Sequence, residues 1–253
     1  MKNTRCNQNE IRHMLTTETA IVTGASQGIG ASLVTRFLEK GFNVVGNSRA
    51  ISASTNLTPS PRLVLVDGDI GDSATAQKII DTAMARFGSI DVLVNNAGSL
   101  VSKPFIDYTS GDFDALVSTI LAGFFYISQC AARQMLRQQS GHIINISTSV
   151  VDQPIAGVPC ALQVLTKGGL HAVARALAIE YAGQGIRINT VALGAIKTPM
   201  HKIETHDFLK SIQPIGRMGE VDEVVDAVMY LNDAKFVTGE VLHVDGGAHA
   251  GKW

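Results

Sequence analysis

Seven short apolar runs recur along the chain, and between most of them apolar residues return every three or four positions. The runs are Ala20 to Thr23, Asn43 to Gly46, Leu63 to Val66, Asp91 to Val94, His142 to Ile146, Arg187 to Val191 and Val241 to Val244. Strands separated by helices cannot pair through tight hairpins; each crossover brings back a parallel strand and leaves its helix on a face of the sheet. The pattern therefore predicts an α/β fold: one doubly wound parallel sheet of about seven strands with helices on both faces. Leu33, Phe37, Ile79, Ala83 and Phe87 mark helices, and Leu162 to Tyr181 is the longest helical stretch. After the second run, Ser48 to Arg62 is rich in Ser, Thr, Pro and Asn, so a loop with at most one turn is expected where a helix would normally stand.

At 253 residues the chain suits one such sheet, and residues 18–253 are read as a single dinucleotide-binding and catalytic domain. Residues 1–17 are polar, lack the apolar stretch of a signal peptide and are expected to form a flexible extension. No run of about 18 apolar residues marks a membrane span. A net charge of -1 and the lack of a basic run argue against nucleic acid or an acidic membrane as partner. Cys6, Cys130 and Cys160 are scattered and odd in number, which points to reduced thiols and no metal site. A soluble, cytoplasmic protein is expected.

Directly after the first run stands Thr23-Gly24-Ala25-Ser26-Gln27-Gly28-Ile29-Gly30, a G-x-x-x-G-x-G turn leading into a helix. Glycines here allow a tight reversal, close approach of backbone to a pyrophosphate, and close packing of helix on strand. The free N–H groups and the dipole of that helix then face the phosphates. Past the second run the chain reads Asn47-Ser48-Arg49, with no carboxylate to hold ribose hydroxyls. Arg49 has the fork of donors that a 2′-phosphate accepts, so NADP(H) is favoured over NAD(H), against the plainer reading of a solvent-facing arginine.

Asn95-Asn96-Ala97-Gly98 follows the fourth run, Lys167 lies in the long helix, Gly194 to Thr198-Pro199-Met200 follows the sixth run and Asp245-Gly246-Gly247 the seventh. In this order, together with the glycine turn, the motifs resemble the short-chain dehydrogenase/reductase family from about Thr19 to Gly247. The resemblance implies a Rossmann-like fold, commonly a dimer or tetramer, that passes hydride between a nicotinamide and a small carbonyl, imine or alcohol substrate. It puts Gly24, Ser26, Gln27, Gly28, Ile29 and Gly30 on the diphosphate, with Ser48 and Arg49 near the adenosine ribose. Asp69 and Ile70 fall at the adenine, and Asn96, Ala97 and Gly98 on the adenosine ribose side. Lys167 falls on the nicotinamide ribose hydroxyls, and Gly194, Ile196 and Thr198 near the carboxamide and phosphate. Leu193 stands where a proline usually precedes Gly194.

The family's acid is a tyrosine one helical turn before the lysine, and here that segment reads Gln163-Val164-Leu165-Thr166-Lys167. The residue that positions the carbonyl falls on Thr148, with Ser147 and Ser149 as alternatives, and the asparagine of a proton relay falls on Ile120. The catalytic set is thus Lys167, Thr148 and Gln163, an atypical one. An amide can donate a hydrogen bond but gives up no proton at usable pH, so Gln163 can polarise a carbonyl without being its acid. Tyr108, Tyr126, Tyr181 and Tyr230 lie far from this segment. Nearer are Cys160, as titrating thiol or packed side chain; His171, one turn after Lys167; and Asp152, as exposed carboxylate or contact for a substrate amine. Two functions remain open: an NADP(H)-dependent oxidoreductase with an altered proton donor, or a pseudoenzyme that holds NADP(H) as sensor or structural ligand. Ile155, Val158, Met200 and Phe208 suggest a modest apolar substrate cleft.

Overall fold

The computed structural model describes residues 17–251. The seven runs form β1 (Thr19–Thr23), β2 (Asn43–Ser48), β3 (Leu63–Asp67), β4 (Val92–Asn95), β5 (Gly141–Thr148), β6 (Ile186–Leu193) and β7 (Val241–Val244). All pair in parallel, in the order β3-β2-β1-β4-β5-β6-β7. The chain winds outward from β1 to β3 and then returns to β4 on the other side of β1, so the loops leaving β1 and β4 diverge and open a crevice at their carboxyl ends. The expected extension over residues 1–17 lies, but for Thr17, outside the described residues.

Helices are α1 (Gly28–Glu39), α2 (Ser73–Phe87), α3 (Ser110–Leu116), α4 (Gly123–Gln138), α5 (Ala161–Tyr181), α6 (His206–Ser211) and α7 (Val221–Asp233). Alternate strand residues face opposite layers. Val22, Val44, Ile144 and Val191 pack with Leu33 and Phe37 of α1 and Val228 of α7. Ile21, Val45, Leu93, Ile143 and Ile188 pack with Ile79 of α2, Ile127 and Met135 of α4, and Ala174 of α5. Side chains of this size each contribute about 1.5–3 kcal/mol on full burial, so both faces must be covered for the sheet to hold. As expected, Ser48 to Arg62 carries a single short turn, at Ile51–Ala53.

One helical run escapes the periodicity. Ser110–Gln138 is helical throughout, joined at Val117–Ala122 by a π turn, and by length and composition it is apolar enough to cross a membrane. The π turn inserts a residue and shifts the apolar stripe by about 100° between α3 and α4, so no single 3.6-residue period describes both. Its inner side, Leu116, Ile120, Ile127, Ala131 and Met135, is buried in the core.

Arg187, at the start of β6, anchors the sheet to the end of α7. Its guanidinium donates to the carbonyls of Leu231, Asn232, Ala234 and Val237 and lies 3.0 Å from His142 Nδ1. Burial, then Arg187, holds His142 well below the usual histidine pKa, so this ring is neutral.

Candidate functional site

The crevice begins at the turn between β1 and α1. Gly24 has φ +65°, and a Cβ there would fall 2.8 Å from the Ala97 Cα. A Cβ on Gly30 would collide with the Gly24 carbonyl oxygen, so α1 can approach the end of β1 only with glycine at that position. Gln27 precedes the helix in extended conformation and no side chain caps it, which leaves amide N–H groups at the start of α1 directed out of the protein. Across a narrow gap lie Thr198 and Pro199, since a Cβ on Gly28 would reach within 3.7 Å of both.

The side chain of Asn96 turns inward, where its Nδ2 donates to the carbonyls of Thr23 at 2.9 Å and Gly24 at 3.2 Å. Thr23 Oγ1 in turn accepts from the N–H groups of Asn96 and Ala97. Asn96 therefore pins the ends of β1 and β4 together and leaves the backbone of Ala97 and Gly98 as the crevice wall. Ser48 is likewise engaged, its Oγ accepting from the Ser26 N–H at 3.3 Å. Ser54 and Asn56 both donate to the Ser26 carbonyl at 2.8 Å, so the polar loop after β2 folds back onto the glycine turn. Sequence reasoning missed that brace, whose only signal was the density of hydroxyl and amide side chains there. Arg49 is exposed beside it and has no hydrogen-bond or ionic partner among the described residues. Asp69 is exposed and accepts from Gly71 N–H, while Ile70 is buried next to it.

Lys167 stands at the other end of the crevice, beside Asn95, Ile120, Phe124 and Ile146 around a small cavity. No carboxylate pairs with its ammonium among the described residues, and burial lowers its pKa to about 8. A Cβ on Gly98 would sit 3.9 Å from Lys167 Nζ, so the glycine leaves the ammonium approachable. One turn earlier, Gln163 is buried and its Nε2 donates to the Ser99 carbonyl at 2.7 Å. Thr148 Oγ1 donates to the Leu193 carbonyl at 3.2 Å. Gly194 donates to the Val244 carbonyl and lies against Asp245, and Ile196 is buried and bridges to Gly219.

Of the alternative acids, Cys160 is buried, and burial pushes its thiol pKa up. Asp152 is an exposed carboxylate, as expected, and two histidines approach it. Its Oδ2 lies 2.9 Å from His243 Nε2 and 3.3 Å from His171 Nδ1. His171 is itself buried and reaches Ser147 Oγ at 2.8 Å.

A family model described as enoyl-(acyl carrier protein) reductase matches residues 24–249. The chain belongs to the short-chain dehydrogenase/reductase family. Within this family of oxidoreductases, it is 32% identical over 240 residues to the 3-oxoacyl-(acyl-carrier-protein) reductase of Salmonella typhimurium, covering 91% of this chain and 96% of that one. A gluconate 5-dehydrogenase from Burkholderia cenocepacia, solved with NADP and tartrate, superposes with TM-score 0.84 at 31% identity, over 94% of this chain and 97% of its own. A 3-ketoacyl-(acyl-carrier-protein) reductase from Brucella melitensis, solved with NADH, superposes with TM-score 0.86 at 25% identity, over 93% and 99% of the two chains.

Proposed function

We propose that this short-chain dehydrogenase/reductase binds NADP(H) in the crevice and transfers hydride between it and a small carbonyl, imine or alcohol, with an altered proton donor. The observation that carries the reading is the uncapped start of α1 at the point where the strand order reverses, opposite an unpaired lysine ammonium at the other end of the same crevice. Bound there, the nicotinamide supplies the hydride. Gly24, Ser26, Gln27, Gly28, Ile29 and Gly30 hold the diphosphate through backbone amides. Arg49, with Ser48 beside it, faces the 2′-phosphate, and Asp69 and Ile70 border the adenine. Ala97 and Gly98 form the wall next to the adenosine ribose, kept in place by Asn96. Lys167 donates to the nicotinamide ribose, and Gly194, Ile196 and Thr198 close over the nicotinamide end. NADP in the solved gluconate 5-dehydrogenase supports the preference, and the exposed Arg49 is its basis in this chain.

In this reading Gln163 occupies the place of the family's tyrosine. It and Thr148 each spend a donor on a main-chain carbonyl, which leaves Lys167 as the acid of this reading. The same pair of hydrogen bonds favours a second reading, in which the chain holds NADP(H) without turnover. Incubation with NADPH and a panel of ketones, aldehydes, imines and quinones, followed at the absorbance of the reduced nicotinamide, decides between them. Turnover of any member supports the oxidoreductase; tight binding without turnover supports the sensor; no binding of either dinucleotide removes both. We also propose a homo-oligomer, because Phe125, Leu165 and Ile179 are exposed on α4 and α5 and light scattering can read their burial as mass.

A further inference from the structure

We propose that Ser52 and Asp67 set the cofactor preference of the crevice: Ser52 binds both oxygens of the Asp67 carboxylate and holds it on the loop after β2, which withdraws it from the adenosine ribose and lets Arg49 favour a 2′-phosphate. The inference rests on the cofactor reading proposed above and deepens it.

Asn47-Ser48-Arg49 contains no carboxylate, but the neighbouring strand brings one to the same corner. Ser48 pairs with Asp67 at the carboxyl ends of β2 and β3. Paired residues of adjacent parallel strands turn their side chains to the same face of the sheet, and the pair two residues earlier shares that face. Ser48 uses it to reach the glycine turn, its Oγ accepting from the Ser26 N–H at 3.3 Å. At the earlier pair, Gly46 and Leu65, a Cβ on the glycine would meet Ile51 and Ala25, so the loop after β2 and the glycine turn both lie over this face. Asp67 therefore faces the corner assigned to the adenosine ribose and its 2′ substituent.

A free carboxylate there would oppose Arg49, because it repels a 2′-phosphate and accepts a hydrogen bond from a 2′-hydroxyl. In this chain the carboxylate is engaged. The Ser52 N–H donates to Asp67 Oδ1 at 2.9 Å and Ser52 Oγ donates to Oδ2 at 2.5 Å. These two bonds, against some burial, hold the carboxyl below the usual aspartate range, and the Lys78 ammonium adds a smaller push. Lys78 Nζ itself donates to the Asp67 main-chain carbonyl at 3.3 Å. The loop that carries Ser52 has anchors besides this pair: Ile51 is buried, and Ser54 and Asn56 donate to the Ser26 carbonyl. Loss of the hydroxyl at position 52 thus frees Asp67 Oδ2 while the loop keeps its place.

Titration calorimetry with NADPH and NADH tests this on the whole protein without any substrate. In Ser52→Ala the ratio of the Kd for NADPH to that for NADH should rise about three- to tenfold, the effect of one partly screened charge near a phosphate. Ser52→Thr, which keeps the hydroxyl, should leave the ratio within about twofold of wild type. Adding Asp67→Asn to Ser52→Ala should restore the wild-type ratio, because the amide carries no charge. Amide exchange over residues 51–57 of the cofactor-free protein should change by less than about threefold in Ser52→Ala. An unchanged ratio in Ser52→Ala overturns the proposal. So does a rise that persists in the double variant, since its cause then lies in the loop and not in the charge. A wild type that binds neither dinucleotide removes the cofactor reading and the proposal together, whereas a wild type that binds both and a Ser52→Ala that keeps its ratio reject the proposal alone.

Discussion

If Arg49 meets a 2′-phosphate as proposed, replacing it with alanine should separate the two nicotinamide cofactors, and at little cost to the fold, because the side chain is exposed and has no partner among the described residues. The loss in the cofactor-free protein should stay within about 0.5 kcal/mol, the range of surface substitutions away from caps and networks. For a domain of this size that is a shift in Tm of about 2 °C or less. A charge-assisted hydrogen bond from the guanidinium to a 2′-phosphate contributes roughly 1.5–3 kcal/mol, which raises the Kd for NADPH by about 10- to 150-fold. Solvent around an exposed arginine favours the lower half of that range. NADH has no phosphate there and should change by less than about twofold. Titration calorimetry with both cofactors measures the difference directly. Salt offers a second reading: raising NaCl should narrow the preference for NADPH in the wild type and leave Arg49→Ala flat. Equal losses for NADPH and NADH, or an unchanged NADPH affinity, would refute the assignment.

Gln163→Tyr should raise ketone reduction by about 10²- to 10⁴-fold if a positioned acid is all that is missing; an unchanged rate would move the deficit to Thr148 and Ile120. Burial lowers the pKa of Lys167 to about 8 from the ordinary lysine value of 10.5, so the buried ammonium costs stability below pH 8 and that cost disappears as pH rises toward 10.5. Cofactor-free Tm, taken relative to Lys167→Met, should therefore climb over that interval, and a flat difference would contradict the burial of the charge. Arg187→Met strands four carbonyls at the end of α7 and should cost about 3–5 kcal/mol, lowering Tm by roughly 6–20 °C; a loss below about 3 °C in a thermal melt would show that the carbonyls find other donors.

The strands were legible because strands buried on both faces need continuous apolar runs, and Ile21, Val45, Leu93 and Ile143 stand at 0% exposure where those runs placed them. The glycine turn was legible because two backbone constraints, the φ of Gly24 and the contact of Gly30 with the Gly24 carbonyl, each restrict the residue type at one position. Ser110–Gln138 was not, since the π turn at Val117–Ala122 breaks the phase on which the reading depends. The inward turn of Asn96 and the brace from Ser54 and Asn56 were also invisible. A polar side chain next to a crevice has the same sequence signature whether it faces a ligand or the protein's own carbonyls, and only the fold distinguishes them. His243 and Asp152 are 91 residues apart, and nothing local to either announces the other.

The placement of the remaining donors decides what chemistry this crevice can support. Gln163 gives one of its two amide hydrogens to Ser99 and Thr148 its hydroxyl hydrogen to Leu193, and neither an amide nor a hydroxyl gives up a proton to an incoming oxygen at usable pH. Lys167 differs: its ammonium has no protein acceptor among the described residues, and burial brings its pKa to about 8, closer to neutrality than that of an exposed lysine and correspondingly more acidic. General acids work best when their pKa lies near the working pH, so burial suits Lys167 to proton donation. On that basis reduction should be fastest below about pH 8, fall as pH rises through the lysine's titration, and vanish in Lys167→Met at every pH. An imine that enters already protonated needs no such donor, so its reduction should fall above pH 8 only as far as the substrate itself loses its proton. A carbonyl substrate whose rate ignores pH between about 7 and 9 would rule Lys167 out as the acid and put the proton source in solvent.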